Sequence, residues 1–135
     1  MAKISFTLEE LLEILVSNQL LPPQITRVKV KGDEIHFVIN TNAFILPYIP
    51  ASLRYLSFND NNALFELTTV TGLASKDISR LNQALKLKIP AYMKLEYPNV
   101  FVDVDRVLRE KNIHGVQVED ISFQNGELTI VTRNI

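Results

Sequence analysis

The ten residues from Ile121 to Ile130, reading Ile-Ser-Phe-Gln-Asn-Gly-Glu-Leu-Thr-Ile, constrain the fold of this chain more than any others. An Asn-Gly pair favours φ > 0 at both central positions of a two-residue type I′ turn. Centring that turn on Asn125-Gly126 sets Phe123 opposite Leu128 and Ile121 opposite Ile130 on one face, with Ser122 facing Thr129 on the other. Turn chemistry and apolar alternation choose the same register, and a slip of one residue would turn the apolar set out to solvent. Upstream, Val116 and Val118 have the opposite parity to Ile121 and Phe123. Keeping all four on one face requires an extra residue, which predicts a β-bulge near Glu119-Asp120.

Two further hairpins follow from the same logic. Gly32-Asp33 suits a type II′ turn between strands running from Gln24 to about Asn40. That register pairs Lys31 with Glu34, Val30 with Ile35, Lys29 with His36 and Val28 with Phe37. The other hairpin runs from about Ser52 to Val70 around Asn59-Asp60-Asn61-Asn62. A turn at Asp60-Asn61 pairs Phe58 with Ala63 and Leu56 with Phe65, and a longer loop remains an alternative.

Thr7-Leu8-Glu9-Glu10 is a capping box, in which the Thr7 hydroxyl takes one orphan amide and the Glu10 carboxylate reaches back to another. The helix it opens places Leu8, Leu11, Leu12 and Leu15 on one side, with Ile14 beside them, and Pro22-Pro23 closes it. Ser75 opens a second amphipathic helix carrying Ile78, Leu81, Ala84, Leu85 and Ile89, ended by Pro90. Ala91 to Tyr97 reads as a weak strand and Val100 to Val102 as a short extended entry. A short helix from about Val104 to Lys111 is capped by Asp103 or Asp105. The expected fold is α+β over a single domain, 1–135: a twisted antiparallel sheet built from three β-hairpins, packed against two amphipathic helices and one short helix.

Composition narrows the function classes. With 47% hydrophobic residues in 135, the chain can build a core, and a net charge of −1 disfavours a general nucleic-acid binder. Without cysteine there is neither a disulfide framework nor a thiolate nucleophile. Leu11 to Val16 is too short and too interrupted by acid for a signal peptide, and no apolar run reaches the length of a membrane span. A cytoplasmic location is the expectation.

No motif announces catalysis, and no cofactor is expected. His36 sits on a strand opposite Lys29, and His114 follows the third helix, where the helix dipole favours its cation. Neither lies in a nucleophile motif, and the four glycines form no phosphate-binding loop. Carboxylates crowd at Asp103-Val-Asp105 and Glu119-Asp120, where helix capping and a bulge explain them without a metal.

Two features remain. Lys76, Arg80, Lys86, Lys88 and Lys94 stand against Asp77 alone between Lys76 and Lys94. Such a basic amphipathic helix is ordinarily a solvated face, and Lys76, Arg80, Lys86 and Lys88 could also meet an anionic lipid surface. The stretch Ala43 to Leu53 is apolar yet interrupted by Pro47 and Pro50, which argues against a regular helix or an interior strand. It can close the core, line a pocket for an apolar small molecule, or form a subunit contact. Phe44, Ile45, Leu46, Tyr48 and Ile49 are its candidate contact residues.

The leading expectation is a non-enzymatic binding module for a lipid, an acyl chain or an anionic membrane surface. The alternative is a structural or interaction protein that forms a homo-oligomer through residues 43–53. An enzyme with an unrecognised site is the third.

Overall fold

A computed structural model describes residues 2–40, 47–69, 90–96 and 98–134. The described chain runs β1 (Ala2–Thr7), α1 (Leu8–Ser17), β2 (Ile25–Lys31), β3 (Glu34–Asn40), β4 (Tyr48–Asn59) and β5 (Asn62–Thr69). It continues with β6 (Met93–Glu96), β7 (Asn99–Asp103), α2 (Val104–Glu110), β8 (Val116–Gln124) and β9 (Glu127–Asn134). Among the described residues all strand pairs are antiparallel and form two sheets: one of three strands, β1-β9-β8, and one of six, β2-β3-β4-β5-β7-β6.

This corrects the expectation of one sheet built from three hairpins against three helices. The hairpins β2-β3 and β4-β5 join the six-stranded sheet, whereas β8-β9 pairs with β1 and stands in a separate sheet. The β8-β9 hairpin carries its apolar residues on one face, so it buries them by lying face to face on another sheet rather than edge to edge. The second amphipathic helix, expected from Ser75 to Pro90, lies outside the described residues.

The three turns have the chemistry their sequences demand. Asn125 and Gly126 have φ of 54° and 79°, and the pairs Phe123–Leu128, Ile121–Ile130 and Ser122–Thr129 form as expected. The ladder shifts between Val118 and Asp120, which places the bulge at Glu119. Asp60 and Asn61 have φ of 51° and 66°, so the shorter turn is the one adopted. Gly32 has φ of 61°, and Lys31–Glu34, Val30–Ile35 and Lys29–His36 pair around it.

Two expected pairs do not form, each because a bulge intervenes. Arg27 adopts φ of 52° and the β2 ladder shifts between Thr26 and Lys29, which removes Val28 from Phe37. In β4 the shift falls between Tyr55 and Ser57, so Phe65 pairs with Tyr55 and Leu56 is left 41% exposed.

Pro47 and Pro50 do not keep Tyr48 to Leu53 out of β4, which is an interior strand of the six-stranded sheet. Pro50 faces Val38 in β3, and the described part of β5 ends at Thr69 opposite Ala51. The Val38 carbonyl accepts from the Thr26 hydroxyl on β2, away from β4. Pro50 therefore sits at a non-hydrogen-bonded position facing β3, with its nitrogen turned toward a side where no described strand needs it.

The Thr7–Glu10 capping box forms, with the Thr7 hydroxyl accepting from the Glu10 amide at 3.1 Å and the Thr7 amide donating to Glu10 Oε1 at 2.9 Å. α1 ends at Ser17, before Pro22, with Asn18 as its C-cap. Asp103 caps α2 by accepting from the Arg106 amide at 3.1 Å.

By strand parity, both apolar clusters lie on one face of the six-stranded sheet. One contains Phe37, Ile39, Ile49, Ala51, Leu67, Leu95 and Val100. The other brings Ala63 of β5 against Val118, Ile121 and Leu128 of the three-stranded sheet, with Tyr55, Phe58, Val102 and Leu11 of α1 packed around them. Phe65 packs against both and makes the core continuous.

Candidate functional site

The apolar stretch divides as the strand divides it. Tyr48 and Pro50 point outward and are exposed, while Ile49 and Ala51 point into the core and are buried. Ile49 therefore serves core closure, and Tyr48, 62% exposed, is available for contact. Phe44, Ile45 and Leu46 lie outside the described residues, as do Lys76, Arg80, Lys86 and Lys88.

A residue that sequence reasoning missed stands beside Tyr48. Asn40 pairs with Tyr48, and the Asn40 amide donates to the Gln24 carbonyl at 2.7 Å, extending the β2-β3 ladder by one position. Gln24, Asn40 and Tyr48 thus form one row across the sheet, with Gln24 roughly 10 Å from Tyr48 at two strand spacings. Gln24 is 7% exposed, and neither its Oε1 nor its Nε2 has a hydrogen-bond partner among the described residues. Burying an amide without partners costs about 1–3 kcal/mol. A lone Gln after Pro22-Pro23 gives no sequence signal of this, because its burial comes from tertiary packing.

Among the described residues two surface grooves stand out, and neither is lined by Tyr48 or Ile49. One, of about 400 Å³, lies where the sheets meet, between Tyr55–Asn59 and Asp120–Phe123. On its wall the Tyr55 hydroxyl donates to the Ile121 carbonyl at 2.6 Å. Burial first, and then the Asp120 charge, pushes the Tyr55 phenol up to about 12. The other groove, of about 310 Å³, lies beside β6 and β7 among Tyr92, Lys94, Phe101 and Asp103. Burial and then Glu110 raise the Tyr92 phenol.

His36 is half-buried on β3 between Lys29 and Ser52, and His114 is exposed between α2 and β8. Neither lines either of these two grooves. The clustered carboxylates take the roles their positions imply: Asp103 caps α2, and Glu119 occupies the bulge. Among the described residues no group of three or more His, Cys, Asp or Glu could hold a metal ion, and no helix is long and apolar enough to cross a membrane.

No family model, curated protein or solved structure matches the chain.

Proposed function

We propose that the protein is a non-enzymatic binding module for an acyl-chain ligand with a hydrogen-bonding head group. The observation that carries this reading is Gln24, a buried amide with both polar atoms unpaired, in one row with exposed Tyr48. Buried polar groups are nearly always paired, so an unpaired one calls for a partner that the described residues do not supply, and the polar head of a ligand is the partner proposed here. A carboxyl or ester head supplies the acceptor that Nε2 lacks, and a protonated or hydroxyl head also supplies a donor for Oε1. The tail is proposed to run along the exposed side chains of Tyr48 and Pro50. Lys76, Arg80, Lys86 and Lys88 are proposed to assist by contacting anionic lipid.

Native mass spectrometry of the protein mixed with palmitate tests this reading. The wild type takes up one equivalent. Gln24→Leu keeps the fold and binds about tenfold more weakly, as the loss of one hydrogen bond predicts. Wild-type protein that takes up no palmitate overturns the proposal.

The exposure of Tyr48 also favours a second reading, in which the 43–53 stretch is a subunit contact. Tyr48→Asp would then dissociate an oligomer without any ligand present.

A further inference from the structure

We infer that Asn125-Gly126 is a site of spontaneous covalent modification, at which the Asn125 side chain closes on the Gly126 nitrogen to a succinimide and reopens as aspartate or isoaspartate.

Asn125 is the one asparagine in the sequence that precedes a glycine. After every other asparagine comes a residue whose Cβ crowds the backbone nitrogen that must attack. Both turn residues are exposed, with φ of 54° and 79°, and both lie beyond the last ladder pair, Gln124–Glu127. Neither makes a hydrogen bond among the described residues, so nothing ties down the Asn125 amide and the Gly126 N–H is open to base. A Cβ at Gly126 would meet nothing within 4 Å, so no neighbour screens the nitrogen. Only the turn's own backbone geometry opposes the rotation that brings this nitrogen to Cγ of Asn125.

Hydroxide removes the Gly126 amide proton and frees the nucleophile. The nitrogen forms a bond to Cγ of Asn125, the Cγ–Nδ2 bond breaks, and the leaving nitrogen takes a proton from water and departs as ammonia. Water then adds to the imide. Breaking the N–Cγ bond restores the backbone with aspartate at position 125. Breaking the bond on the other side leaves the chain running through Cγ, as isoaspartate. The two products differ in what they do to the hairpin. Asp-Gly suits the same type I′ turn, so the aspartate product keeps the register. Isoaspartate puts an extra carbon into the backbone of a two-residue turn, which pulls Gln124–Glu127 and Phe123–Leu128 out of pairing. Leu128 is 5% exposed and packs with Val118 and Ile121, so that slip loosens the smaller apolar cluster.

Incubating the folded protein at mildly alkaline pH, with ion exchange and peptide mapping of the products, tests the inference. Either product adds one negative charge to a net of −1, so both separate from the parent. An acidic species accumulates, faster at higher pH, and maps to position 125 in both linkages. Gly126→Ala slows the conversion severalfold even though it strains the turn, because the new Cβ crowds the attacking nitrogen. Asn125→Asp, the aspartate product made directly, unfolds near the wild-type urea midpoint, whereas the isolated isoaspartate form unfolds at distinctly lower urea. A chain whose other asparagines convert before Asn125, or that stays unconverted, overturns the inference, as does a rate indifferent to Gly126→Ala. An isoaspartate form as stable as Asn125→Asp overturns the loss of register.

Discussion

Tyr55 on β4 donates its hydroxyl to the Ile121 carbonyl on β8 at 2.6 Å, a direct hydrogen bond between the two sheets. The same ring stacks edge-on against Phe65, with centroids 5.6 Å apart and planes at 71°. Because Phe65 packs into both apolar clusters, Tyr55 anchors the junction through its ring as well as its hydroxyl. Tyr55→Phe keeps the ring and strands the Ile121 carbonyl, and should cost about 1 kcal/mol in a urea titration. An unchanged midpoint would mean that water replaces the bond at no cost.

The same phenol gives the fold an alkaline signature. Its folded value, about 12, lies above the ordinary 10, so the folded state holds this proton more tightly than the unfolded chain does. The stabilisation is fully present below pH 10 and is lost as pH rises through 12. Unfolding midpoints of the wild type should converge on those of Tyr55→Phe across that window. Parallel curves would contradict the assignment.

Much of the local structure was legible because turn chemistry and alternation agree in it. The Asn125-Gly126 register, the Glu119 bulge and the Thr7 capping box all follow from residues within a few positions of one another. What escaped reading was decided by distant partners. The Ala-Lys-Ile-Ser-Phe-Thr of β1 alternates, but no turn follows it, and its partner β9 lies at the other end of the described chain. Either Tyr55 or Leu56 could face Phe65 by alternation; the bulge between Tyr55 and Ser57 turns Tyr55 inward, where its ring meets Phe65 and its hydroxyl meets Ile121. Gln24 could not be flagged at all, since an unpaired amide is a property of its surroundings.

Gly126 has φ of 79°, and a Cβ there would meet nothing within 4 Å, so any cost of substitution comes from the backbone alone. Gly126→Val should destabilise by about 1–3 kcal/mol, with Gly126→Ala at the lower end. Chemical denaturation of the pair measures this, and equal stability for all three proteins would rule out the turn.

Thr7 both ends β1 and caps α1, so one substitution tests two elements. Thr7→Ala should lower stability by about 1 kcal/mol. Hydrogen exchange should speed up first at the amides of Glu9 and Glu10. Uniform acceleration across the chain would instead indicate that α1 does not open separately.

Ile39 is 1% exposed within the larger cluster, on the opposite face from Tyr48. Ile39→Ala should cost about 2–5 kcal/mol through lost burial and the cavity left behind. Tyr48→Ala should leave stability nearly unchanged, because its ring is already in water. Comparable losses in thermal melts would contradict the division of this stretch into core and contact residues.

The most direct test of the account is the side-chain amide resonance of Gln24 during a palmitate titration, followed by two-dimensional NMR. If a ligand head group meets Gln24, its NH₂ signals shift saturably and gain protection from solvent exchange, together with the backbone amides of Asn40 and Tyr48. Shifts confined to the Tyr55–Asp120 groove, or no shift at Gln24 under saturating palmitate, would contradict the account.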